Sequence, residues 1–221
     1  MKKLSRDQQY LNSINVFSTS SHAFLPYNNF VSDLFSNDIV IDYIYNTYKE
    51  NKDVITDYKK FGQAIAVEKT LKGFRRLNEK NIEDFLSLLL KILNKSSIDE
   101  CATMLKDETA FSYDYLELLE KSDVEKYFNI TKQAFLAELA NSPEPFLLTQ
   151  EQSDIAYQAL FSQFRGNDAI LITNILMNSN KSSNIELCYA GKGFLSAILS
   201  MKGEVKKWML RQYTKIMLST E

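Results

Sequence analysis

Apolar residues recur at helical spacing along almost the whole chain, and this pattern predicts a succession of helices joined by short polar connectors. Leu4, Leu11, Ile14 and Phe17 mark a first amphipathic stretch that ends in Ser18-Thr19-Ser20-Ser21. Pro26 suits the first turn of a second helix carrying Phe30, Val31, Leu34 and Phe35. Asn37 or Asp38 caps a third, with Ile39, Val40, Tyr43, Ile44 and Tyr48; Asp53 caps a fourth that ends near Gly73. Asn81 is placed as the cap of Ile82–Leu93, the most apolar segment and one expected to be buried on several sides. Ser97, Thr109 and Ser122 open the next three helices.

Asn141-Ser142-Pro143-Glu144-Pro145 breaks the pattern, because each proline restricts itself and its predecessor. The expected organisation is therefore an N-terminal helical region over 1–142, a connector over 143–148 and a C-terminal helical region over 149–221. In the last of these, Thr149-Gln150-Glu151-Gln152 has the form of a capping box. Asn167 or Asp168 then caps 169–177, Ser183 opens a helix closed by Gly203, and 204–218 forms the final helix.

Composition supports the same reading. Six glycines and three prolines stand in 221 residues, where ordinary usage would give about 15 and about 11. Sheets and long loops draw heavily on those residues, so an all-α fold is expected. It takes the form of an irregular multi-helix bundle, with a degenerate α-solenoid of helical hairpins as the alternative. Apolar stretches 85–93 and 169–177 fall short of the roughly 20 residues that span a bilayer. Met1-Lys2-Lys3 is followed by Arg6, Asp7, Gln8 and Gln9 in place of an apolar signal core. A cytoplasmic location is the expectation, with an effector exported without such a signal as the alternative.

Few residues suit catalysis. His22 is the sole histidine and lies in a Ser-rich connector. Cys101 and Cys188 form no metal-binding or redox pair in sequence and are expected to be free, inert small hydrophobes in a reducing compartment. No catalytic residue, metal or cofactor is assigned. Tyr189-Ala190-Gly191-Lys192-Gly193-Phe194 lacks the glycine spacing and the Lys-Ser/Thr of a phosphate loop. Its small residues are expected to let two helices approach closely, or to kink one.

Charge is distributed unevenly. Residues 1–80 hold 12 Lys or Arg against 9 Asp or Glu, 81–160 hold 6 against 15, and 161–221 hold 8 against 4. Asp107, Glu108, Asp114, Glu117, Glu120 and Asp123 thus become candidates for docking a basic partner, unless acidic helices neutralise basic ones within the fold. Lys207, Arg211 and Lys215 recur at four-residue intervals as a basic stripe on the last helix. Lys69, Lys72, Arg75, Arg76 and Lys80 form a second basic run. Tyr43, Tyr45 and Tyr48 cannot all face one core, since positions 43 and 45 diverge by about 200° on a helix, and they join the candidate partner-binding residues. The leading expectation is a non-enzymatic protein–protein interaction module: an adaptor, chaperone-like factor, regulator or secreted effector. It has a protein partner or forms a homo-oligomer. A nucleic-acid-binding regulator using the basic helix faces, and an enzyme with a carboxylate site assembled in space, are the alternatives; net charge of −2 disfavours the former.

Overall fold

The computed structural model describes residues 6–52, 56, 58–106 and 112–217. Over these the protein is all-helical, with eleven α-helices, one 3-10 turn and no strand. The chain divides into two compact units, each built from two separate segments. One comprises 1–78 with 120–145, the other 79–119 with 146–221, so the chain passes between them directly after Pro145.

The first unit contains α1 (Gln8–Ile14), α2 (Phe24–Ser36), α3 (Asp38–Asn51), α4 (Tyr58–Phe74) and α7 (Lys121–Leu139). Its organising element is α7, which packs against α2, α3 and α4. Phe128 of α7 stacks on Phe30 at 5.0 Å between ring centroids and meets Tyr27 and Phe17 edge-on at 5.7 and 6.4 Å. Buried Asn28 joins α1 to α2: it donates to Asn12 Oδ1 and accepts from Asn15 Nδ2, so its amide is satisfied at both ends. Gly73 sets the α4–α7 contact. A Cβ there would overlap the Ala134 backbone carbonyl, so only a hydrogen permits this approach. Asn141, at φ 48°, ends α7 as the sequence predicts, and the Ser142 N–H returns to the Ala137 carbonyl at 2.9 Å.

The second unit contains α5 (Glu79–Lys95), α6 (Ile98–Lys106), the 3-10 turn Tyr113–Leu118, α8 (Gln150–Phe161), α9 (Asp168–Met177), α10 (Asn184–Ser200) and α11 (Gly203–Met217). Here α10 is the hub, packing against α5, α6, α9 and α11. A solenoid would join mainly sequence neighbours; both units instead gather round one helix, as in an irregular bundle. Ile82, Leu86, Leu88, Ile92 and Leu93 of α5 are buried, as the sequence predicts. That helix starts at Glu79, so Asn81 lies within its first turn instead of capping it. Ser97–Glu100, Thr149–Gln152 and Ser183–Glu186 each form a reciprocal capping box. Asp53 and the Thr109 start lie outside the described residues; beyond them, Ser112 caps the 3-10 turn.

The cysteines correct the sequence reading. Cys101 and Cys188 are bonded to each other, with Cα atoms 5.6 Å apart, so neither is a free thiol. Facing positions on α6 and α10 bring them within disulfide range, a juxtaposition that a separation of 87 residues conceals. Close by, Gly191 lies against Leu105, where a Cβ would overlap its side-chain methyls, and a Cβ on Gly193 would come within 3.0 Å of Ile172 Cδ1. The helix runs unbroken through both glycines, so close approach and not a kink is their use.

Two stability outcomes follow from this packing. Gly73→Ala should cost about 1–3 kcal/mol by overpacking against backbone, whereas Gly62→Ala in the same helix, with no neighbour within 4 Å, should gain about 0.5–1 kcal/mol. Denaturant titration of the two variants checks the contrast. The disulfide closes a long loop, and Cys101→Ser with Cys188→Ser should lower stability by about 2–5 kcal/mol, read as a drop in thermal midpoint that reductant reproduces in the parent chain.

Candidate functional site

The described acidic candidates are divided between the two units. Asp107 and Glu108 lie outside the described residues. Asp114 sits exposed in the 3-10 turn, where its carboxylate and its backbone N–H both bond the Ser112 hydroxyl. Asp114 and Glu117 belong to the second unit, Glu120 and Asp123 to the first. Among the described residues no group of three or more His, Cys, Asp or Glu side chains is placed to hold a metal ion.

The basic candidates are largely neutralised at home. Glu68 takes Lys69 at 3.3 Å and Lys72 at 3.0 Å, and the hydrogen bond from Lys72 holds its carboxyl below the ordinary value. Arg75 meets Glu144 at 3.5 Å and Lys80 meets Asp84 at 2.9 Å. Arg76 donates to Glu138 at 2.7 Å, to Asn141 Oδ1 and to the Ser142 carbonyl, closing the end of α7. Every cation of the 69–80 run therefore has a carboxylate beside it.

On α11, Lys207 is exposed and pairs with Glu204 at 2.5 Å. Lys215 is exposed. Arg211, between them, is 5% exposed: its Nε and Nη2 both reach Glu79 Oε1, at 2.7 and 2.5 Å, and its guanidinium lies 5.8 Å from the Phe146 ring centre. The predicted basic stripe thus loses its middle member to the interior. Four-residue spacing puts side chains on one face, but whether that face meets water depends on where Glu79 arrives from elsewhere in the chain. Burial, the largest influence on Glu79, opposes its ionisation. Hydrogen bonds from its own backbone and from Arg211, with the nearby positive charges, still hold its carboxyl below the ordinary 4.5.

The tyrosines divide as helix geometry requires. Tyr43 is half-buried with Lys69 Nζ 5.8 Å above its ring, whereas Tyr45 and Tyr48 are exposed. His22 lies half-buried ahead of α2, and with both sulfurs bonded it has no thiol to activate. A cleft of about 130 Å³ between α2 and α7 is lined by Pro26, Phe30, Asp33, Phe128 and Lys132, with Lys132 bonded to Asp33 at 2.7 Å. That is below the roughly 300 Å³ of a pocket that encloses an organic substrate.

Several exposed apolar side chains among the described residues lie outside the candidate list, on α9 and the start of α10. Ile172 and Ile175 turn inward to Leu187 and Ala190. Ile170 and Met177, on the opposite side of α9, are 64% and 80% exposed, and Leu171 is half open. On α10, Ile185 and Tyr189 are 66% and 55% exposed. The two helices pack on one another, and their junction is fixed: the Ser182 hydroxyl bonds the Ile175 and Asn178 carbonyls, each at 3.1 Å. Beside it, hydrogen bonds from the Ser183 hydroxyl and N–H hold the Glu186 carboxyl below its ordinary value. The signal was in the sequence, since Asp168 is the one ionisable residue of α9, and a short helix with no charged face has no side that prefers water.

No protein-family model matches the chain, and neither a curated protein nor a solved structure is significantly similar to it. No helix among the described residues is long and apolar enough to cross a membrane.

The Arg211–Glu79 pair gives a test of structural against docking roles. Glu79→Ala removes the carboxylate that holds Nε and Nη2 of the buried Arg211 and should cost about 2 kcal/mol, while Lys207→Ala at the exposed pair should leave the unfolding midpoint nearly unchanged. Because the Glu79 carboxyl is depressed in the fold, its contribution is complete above its unfolded value and is lost as pH falls through the folded one. Stability profiles from pH 7 to pH 3 should therefore fall less steeply for Glu79→Gln than for the parent.

Proposed function

We propose that this protein is a non-enzymatic binding module that docks a protein partner through the exposed apolar face of the α9–α10 pair. One observation carries the reading: on two helices locked together at their junction, five large apolar side chains stand in solvent. Single exposed apolar residues are ordinary on any surface, but five on two successive helices joined by one short connector have the composition of an interface. Exposed Tyr45 and Tyr48 on α3 supply a further aromatic contact surface in the first unit. The carboxylate partners of the 69–80 cations weigh against the nucleic-acid alternative, since a cation held by a carboxylate contributes less counterion release at a phosphate. The disulfide supports a site of action in an oxidising compartment, because cytosolic thiol systems keep such bonds reduced.

Photo-crosslinking tests this. A benzophenone amino acid placed at Met177 or Ile185 in the full chain should give discrete protein adducts in cells that make it. The same probe at Glu151, an exposed position on α8, should give none. Equal labelling at all three positions, or none at any, would overturn the reading.

A further inference from the structure

The outward face of α9 has a regular spacing. Ile170, Asn174 and Met177 follow one another at intervals of four and three, the d–a–d spacing of a coiled-coil seam, and all three are exposed. We infer that the occupant of this face is a second copy of the same chain, with α9 pairing antiparallel to its own counterpart about a two-fold axis near Asn174. The inference deepens the docking-face reading and rests on it.

Three features point to self-pairing. A two-fold interface sets each residue near the axis against its own copy, so a like charge there repels itself. The α9 face carries no ionisable group, Asp168 being confined to the helix start and half-buried. Near the axis stands Asn174, whose amide both donates and accepts and so complements an identical amide; a single asparagine in a seam fixes register and helix number at some cost in affinity. With the axis at that point, Ile170 lies over Met177 of the second copy, and the reverse, so this apolar contact forms twice.

Sedimentation of the purified, oxidised full chain at about 100 µM, where a micromolar interface is largely saturated, should give twice the 25.5 kDa monomer mass. Asn174→Asp places like charges across the axis. It should therefore sediment as monomer at pH 7 and recover the dimer near pH 4.5, a reversal that general loss of folding would not produce. Met177→Glu should be monomeric with an unchanged helical circular dichroism spectrum, and Tyr45→Glu on α3 should remain dimeric. A monomeric parent chain would overturn the self-pairing. So would a dimer that survives both Asn174→Asp and Met177→Glu, since it would then lie elsewhere. The docking-face reading fails separately: a monomeric parent whose Met177 probe still yields adducts with other proteins would retain the face and change its occupant.

Discussion

The arrangement of the second unit depends on how closely α10 lets its neighbours approach. Gly191 removes the side chain that would collide with Leu105, and one helical turn of α10 then carries both the disulfide to α6 and the small residues that admit α9. Leu187, Ala190, Leu195 and Ile198 of α10 are buried, whereas Ile185 and Tyr189 near its start are exposed. Beside it, α9 turns Ile172 and Ile175 inward and leaves Ile170 and Met177 exposed. The first unit repeats the device with α7 as hub and Gly73 as the point of contact.

Segregation of charge along the chain becomes pairing in space. Acidic residues of the middle third, Glu83, Asp84, Glu138 and Glu144, meet Lys206, Lys80, Arg76 and Arg75 from the basic flanks. Most of these pairs are partly exposed and contribute little stability each. Arg76 and Lys206 do more than neutralise, since each also bonds a backbone carbonyl, Ser142 for one and Leu199 for the other. Those carbonyls lie at the ends of α7 and α10, where intrahelical partners run out. A cation from outside each helix therefore finishes the end of both hub helices: Arg76 from a distant segment for α7, and Lys206 from the following helix for α10.

What the sequence made legible was local. Helix identity, the Thr149 and Ser183 caps, the stop at Asn141 and the burial of Leu86 and Ile92 all depend on residues within a few positions of one another, and periodicity and capping chemistry report these directly. Contacts across the chain were not legible. Cys101 met Cys188, and Arg211 left a solvent face for Glu79, because of where separate helices cross, which spacing does not encode. The exposed side of α9 was not legible for a different reason. The run at 169–177 falls short of a bilayer span, and its pattern does not say which side of the helix the rest of the chain covers. A ten-residue apolar helix at the edge of a bundle satisfies the same pattern with half its surface open.

Stability alone gives no reason for that open half to be apolar. An isolated helix of ten residues is marginal in water, so α9 owes its order to Ile172, Ile175 and the locked junction at Ser182, none of which needs Ile170 or Met177. Polar residues at those two positions would keep the inward contacts and the helix propensity while removing an aggregation hazard. Apolar residues there add nothing to the fold of the isolated chain, which the proposed docking would explain. In the self-pairing inferred above, the spacing of the face, its lack of charge and its central amide ask for an apolar helix with a matching polar group midway, which the chain itself already carries.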